Sequence, residues 1–249
     1  MSLLEGLFLI GAGIFAGFIN TVAGGGSLIT LPLLIFMGLP SAEANASNRV
    51  AIFVQNIFSV AGFRSRGVFV FPFVIWLSIS ATIGAVIGSM IAVDIKDELF
   101  NRILAIIMLV VIGITVFKPK FVSHNSEVIT KRNTWLSVII FFFVGIYGGF
   151  IQAGIGFIVI AALTGVHGFS MAKTNSIKVF VALIYTIAAL VIFHFDGLIN
   201  WQYGLILAVG NASGAWIASR WSVNKSDRLI KAILIVTVIG LSVKLWFFN

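Results

Sequence analysis

The sequence predicts an all-α polytopic membrane protein made of two inverted-topology repeats, with about 8–10 helical segments and a short broken half-helix in each repeat. Three observations carry this expectation: an apolar composition, an internal duplication, and opposite charge on matching loops. Of 249 residues, 60% are hydrophobic and 10% charged, with 16 Lys and Arg against 8 Asp and Glu. Mean hydropathy is +1.13. So few charges could not cover a soluble globule of 26.9 kDa, whereas lipid needs no polar cover. Cysteine is absent, which removes disulfides, thiol catalysis and Cys-ligated metals. The net charge of +8 is spread over short loops between apolar runs, the pattern of membrane topology and not of nucleic-acid binding.

The first apolar run, 3–22, has the length of a spanning helix. It carries Glu5 where a signal peptide would carry an early Lys or Arg, and it recurs inside the chain, so it is read as part of the fold. "NTVAGGGSLITLP" then interrupts it, and the second run, 27–38, can reach only part of the way across the bilayer. Longer runs follow at 47–63, 70–92 and 99–117. After a basic linker, 119–133, the order repeats: 135–154, a short 156–167, then 177–193, 200–219 and 229–247. The two repeats are therefore placed at 1–118 and 134–249.

The duplication has a register. Gly17, Asn20 and Gly24 fall opposite Gly149, Gln152 and Gly156, and Asn45, Gly67, Gly84 and Asp97 fall opposite Asn175, Gly197, Gly214 and Asp227. The loop with Arg64 and Arg66 matches one with His194 and Asp196. Conversely Asp94, Asp97 and Glu98 match a loop rich in Arg220, Lys225, Arg228 and Lys231. Homologous loops thus face opposite sides, which requires an odd number of crossings per repeat and makes the repeats inverted. The linker is expected in the cytoplasm and both termini outside.

Candidate site residues cluster at the breaks. Gly24, Gly25 and Gly26 interrupt a helix at membrane depth, where free backbone persists only against protein or a water-filled cavity. Around them Asn20, Thr21 and Ser27 offer neutral hydrogen-bonding groups, and the N-H groups opening at Ser27 suit an anion. Gln152, Gly154 and Gly156 echo the break with fewer hydroxyls. The competing reading is that these glycines serve close helix packing. The second cluster is Asn45, Asn48 and Arg49, matched by Asn175 and Lys178. Asn45 and Asn175 suit N-caps of the third helices, and Asp94, Asp97 and Asp227 suit caps of the fifth. Arg49 and Lys178 are intramembrane cations near helix starts, able to neutralise a dianion or attract a monoanion, with snorkelling to the interface as the alternative. Gln55, Asn56, Tyr185 and Asn211 are weaker lining candidates.

No P-loop Lys follows the glycines, and His124, His167 and His194 stand singly, so neither nucleotide hydrolysis, a metal centre nor any other enzymatic constellation is expected. No cofactor is expected either.

The run "GFINTVAGGGSLITLPLLIFMGLPSAEANASNRVAI", with its glycine break, Pro32 and the Gly38 to Pro40 turn, resembles the sulfite exporter TauE/SafE family, and the likeness extends over nearly the whole chain. The resemblance implies a bacterial inner-membrane transporter, with members linked to efflux of sulfite or organosulfur anions such as sulfoacetate. The family motif falls on Asn20, Thr21, Gly24, Gly25, Gly26, Ser27, Pro32, Asn45, Asn48 and Arg49. The second half lacks the triple glycine and the Pro. The expected function is a secondary transporter exporting a small anion by alternating access, with the lipid bilayer and a coupling proton or sodium ion as partners and no nucleic acid. A passive anion channel and a non-transporting membrane assembly protein are the alternatives.

Overall fold

The computed structural model describes residues 1–68, 70–117 and 127–221, with side chains of 111–117 set aside. Within them the chain forms α1 (Leu3–Ala23), α2 (Ser27–Phe36), α3 (Ser41–Arg64), α4 (Phe73–Val93), α5 (Asp97–Phe117), α6 (Lys131–Phe150), α7 (Ile155–His167), α8 (Met171–Phe195) and α9 (Trp201–Trp221). The expected segment at 229–247, the charges around Asp227, and His124 lie outside the described residues.

Four helices, α1, α4, α6 and α8, are long and apolar enough to cross a membrane. The chain is therefore an all-α, multi-pass membrane protein. α2 and α7, with 10 and 13 residues, span only about 15 and 20 Å at 1.5 Å per residue, short of the roughly 30 Å hydrocarbon core. They are half-helices, as expected. The outer face is apolar: Trp76, Ile79, Ile83, Ile87 and Met90 form an exposed stripe at helical spacing along α4. Polar residues instead turn inward, and Asn45, Ser47, Asn48, Arg49, Gln55, Asn56 and Ser59 are all buried on α3. Every Asp and Glu among the described residues is exposed or only partly buried.

The principal helix pairs keep their pattern when α1, α2, α3 and α4 are exchanged for α6, α7, α8 and α9. α1 packs on α9 as α6 packs on α4, α3 on α9 as α8 on α4, and α3 meets α8. Glycines allow this approach. Gly13 and Gly17 of α1 lie against the backbone of Leu207 and Asn211, just as Gly145 and Gly149 of α6 lie against Ala81 and Ala85. These contacts correct the register of the fourth helices. Gly84 meets Phe142 as Gly210 meets Ile10, and Gly88 meets Ile146 as Gly214 meets Ile14. The partner of Gly84 is therefore Gly210 and not Gly214, a slip of one turn. The preceding connection accounts for part of it, since it runs from Ser65 to Pro72 in the first half but only from Asp196 to Asn200 in the second.

The third helices also start earlier than the hydropathy suggests. α3 begins at Ser41 behind Pro40, and α8 at Met171 behind the N-cap Ser170, whose hydroxyl accepts from Lys173 N. Asn45 and Asn175 therefore lie one turn inside their helices and are not N-caps. Polar first turns hid these starts, because their polar faces point into protein. Asp94 closes α4 instead of opening α5, and Asp97, at the first position of α5, accepts from Ser41 N at 2.9 Å, thus capping α3 from a neighbouring helix.

Candidate anion site at the paired helix breaks

Each broken helix ends against a cation from the other half of the chain. α1 ends at Ala23 with Gly24 in the left-handed region, φ 82°. Its last carbonyls, Asn20 O and Thr21 O, each accept from Lys178 Nζ at 3.0 Å, and Asn175 Nδ2 donates to Val22 O at 2.9 Å. α6 ends at Phe150, four residues before the expected 154. Arg49 donates to Gly148 O through Nη1 and to Gly149 O through Nη2, the latter at 2.8 Å, while Asn45 Nδ2 donates to Phe150 O at 2.7 Å. Each asparagine also orients its cation: Asn175 Oδ1 accepts from Lys178 Nζ at 2.8 Å, and Asn45 Oδ1 accepts a long bond of 3.5 Å from Arg49 Nη2.

The physics is that of a helix C-terminus, whose unpaired carbonyls and negative dipole end favour a cation. The two cations do not snorkel, since Arg49 is 0% and Lys178 6% exposed. Nor do they rest against helix N-termini, as their places near the starts of α3 and α8 suggest; they hold C-termini. Neither has a carboxylate partner among the described residues. Phe193 instead offers its ring to the Arg49 guanidinium at 5.6 Å.

The opposite ends of the breaks are left open. α2 starts behind Gly26 and α7 behind Gly154, and neither has a side-chain cap. Their N-termini approach one another so closely that Gly24 and Gly156, matched in the duplication, touch backbone to backbone. Beside this contact lies a cavity of about 20 Å³, room for one water-sized group, bordered by Asn20, Gly24 and Ser27 from one half and Gln152, Ile155 and Gly156 from the other. Asn56 of α3 and Lys178 of α8 complete its polar lining. Asn56 Nδ2 and Gln152 Oε1 are buried and without hydrogen-bond partners. Gln152 donates through Nε2 to Tyr185 Oη at 2.9 Å and holds φ 64°, the one positive value outside glycine among the described residues.

Of the expected residues the cavity thus gathers Asn20, Gly24, Ser27, Gln152, Gly156 and Lys178, with Asn56 from the weaker candidates, but not the others. Thr21 bonds Ser59 across to α3 at 3.0 Å, and Thr30 donates to Asn48 Oδ1 at 2.8 Å, so Thr21 and Asn48 tie helices together. Asn45, Asn175 and Arg49 clamp helix ends. Gly25 and Gly26 form the break itself, and Gly26 also lies against Ala16 O. Gln55 accepts from Asn211 Nδ2 at 3.3 Å, away from the lining. Asn56 contributes more than its sequence context suggests. The available signal was its place seven residues after Arg49, on the same helix face.

Known proteins agree with this frame. Residues 9–245 match the family described as sulfite exporter TauE/SafE. Among similar chains is a probable membrane transporter protein, ORF9, of Sinorhizobium sp, 25% identical and covering 96% of this chain and 91% of the relative. A probable membrane transporter protein of Haemophilus influenzae is 26% identical over 99% of this chain and 98% of its own. The probable membrane transporter protein YfcA of Escherichia coli K12 is 27% identical over 98% and 90%. No solved structure matches the chain. With a match over nearly its whole length and full-length relatives named as transporters, the chain belongs to the sulfite exporter TauE/SafE family of membrane transporters.

Proposed function

We propose that this chain is a secondary transporter that exports a small anion, sulfite or an organosulfonate such as sulfoacetate, across the bacterial inner membrane by alternating access of two inverted repeats. One observation carries the reading: two uncapped helix N-termini, one from each half, meet at a cavity bordered by a buried cation and unpartnered amides. Uncapped N-H groups and a cation favour negative charge, and half-helices meeting in the middle of a repeat pair are a recurrent transporter design. The matched helix pairs supply two bodies able to rock about the Gly24 and Gly156 contact. Asn20, Ser27, Gln152 and Lys178 contact the anion, while Asn45, Arg49 and Asn175 hold the broken ends in place. A proton or sodium gradient drives flux.

Purified protein in liposomes should take up labelled sulfite with saturable kinetics, and Gly156→Leu should abolish uptake in protein that still reconstitutes. Undiminished uptake in that variant removes the site assignment. Flux that rises without saturation marks a channel, and its absence under every gradient leaves the assembly-protein reading.

A further inference from the structure

The core contains two cations and no buried acid among the described residues, yet the two cations stand differently toward the cavity. Arg49 is drawn to α6, held by Gly148 O and Gly149 O, and does not border the cavity. Lys178 does border it, and it is the one charged side chain in the lining. Its three N-H donors are divided among Asn20 O, Thr21 O and Asn175 Oδ1, so its charge is solvated by dipoles but not neutralised. The remaining polar lining is neutral: Asn20, Ser27, Asn56 and Gln152. Asn56 Nδ2 and Gln152 Oε1 have no partner inside the protein, although 2% and 3% exposed residues ordinarily satisfy such atoms.

Resting on the transport reading above, we infer that the cavity selects the singly charged head of a small oxyanion, with Lys178 as its charge partner and Asn56 and Ser27 as neutral hydrogen-bonding contacts. One anionic charge beside Lys178 leaves the site neutral. A second would stand unpaired in a closed, low-dielectric space, where an isolated charge is strongly disfavoured. For a sulfur oxyanion the selected species is hydrogensulfite or the singly charged sulfonate head, whose tail, charged in sulfoacetate, stays outside a cavity of this size; sulfite dianion and sulfate are refused. The site is closed to water size in this state, so the head enters only when Gly24 and Gly156 part.

Methanesulfonate and sulfate test this, because both are tetrahedral sulfur oxyanions of fixed charge at neutral pH, one minus one and the other minus two. In liposomes carrying the intact chain, methanesulfonate should compete with labelled sulfite about tenfold or more strongly than sulfate does. Sulfite uptake should also rise as pH falls through the range in which hydrogensulfite replaces sulfite. Lys178→Gln should cut methanesulfonate competition about tenfold or more without bringing sulfate into competition, since the dianion would then carry two unpaired charges. Sulfate competing as well as or better than methanesulfonate overturns the charge selection while leaving anion transport intact. Saturable sulfite uptake unaffected by either probe overturns it also. No sulfite uptake at all removes the transport reading itself. Because Lys178→Gln also loosens the end of α1, the comparison of probes on the unaltered chain decides the matter if that variant fails to reconstitute.

Discussion

The break in the first half takes three glycines, Gly24 to Gly26, whereas the second takes Ile151 to Gly154 and opens more than a turn earlier relative to the matched Gly17 and Gly149. The first break places its left-handed residue at Gly24, the same residue that touches the other half. The second divides these tasks: Gln152 and Gly154 take positive φ, and Gly156, already inside α7, makes the contact. One half therefore concentrates conformational freedom and close approach in a single glycine. The other separates them and sets its polar lining residue, Gln152, in the left-handed region outside the helix, whereas the matched Asn20 lies inside α1. The two half-sites are matched in what they hold together and unmatched in what they present.

The largest effect expected from this comparison is at the contact itself. A Cβ at Gly24 would strike the Gly156 backbone, and at φ 82° it would also be strained. Gly24→Ala should therefore cost several kcal/mol, about 3 or more, and abolish sulfite flux. Gly38→Ala is the control. Gly38 has φ 96° but nothing within 4 Å of an added Cβ, so it should lose only about 1–2 kcal/mol from its left-handed conformation. Thermal unfolding in detergent reads both. Equal losses would mean that backbone strain alone, and not the meeting of the two halves, makes Gly24 indispensable.

The cations come next. Arg49→Met leaves Gly148 O and Gly149 O without donors, whereas Lys178→Met leaves Thr21 O alone, since Gly24 N still donates to Asn20 O; each should destabilise by about 2–4 kcal/mol. They should part in function. Arg49→Lys keeps a charge of α3 against the end of α6, away from the cavity, and should retain measurable flux, whereas Lys178→Arg forces a larger head into a space of about 20 Å³ and should lose it. Stability and flux measured together on the same four variants separate clamp from lining. Identical flux losses in Arg49→Lys and Lys178→Arg would erase the distinction.

Much of this architecture was legible in residues 1–221. Apolar runs placed every described helix, and the glycine break, the half-helices and the cation pair were all visible. What the sequence could not place were features set by long-range contact. Asn45 and Asn175 look like caps because a polar first turn resembles a boundary; their amides instead reach the ends of helices about a hundred residues or more away in the chain. The direction of Arg49 and Lys178 was missed for the same reason, since a carbonyl end offers no side-chain signature. The one-turn slip between Gly84 and Gly214 followed in part from loop length, which a glycine register does not feel. Gln152 was legible as a polar residue but not as a left-handed one, because backbone strain at a non-glycine leaves no compositional trace.

That strain gives a sharper test of the unequal breaks. Gln152→Gly relieves a left-handed residue, a gain of about 1 kcal/mol, and removes the donor to Tyr185 Oη, a loss of similar size. Stability should change by less than about 1 kcal/mol, while sulfite flux falls, because the cavity loses a polar partner. A strongly destabilised variant would show that Gln152 serves the fold first.

The smallest effect lies at the far ends of the two broken helices. α1 starts with a capping box, in which Ser2 Oγ accepts from Glu5 N at 3.2 Å and Ser2 N donates to Glu5 at 2.7 Å. α6 starts with Thr130 alone, whose hydroxyl accepts from Asn133 N at 3.2 Å. All of these bonds are exposed, so Ser2→Ala and Thr130→Ala should each cost about 0.5–1 kcal/mol, Ser2 slightly more because its box is reciprocal. Neither should alter flux, since each cap lies at the opposite end of its helix from the break. If either substitution reduces flux as far as Lys178→Met does, the outer ends of α1 and α6 move with the site, and the breaks are not the only hinges.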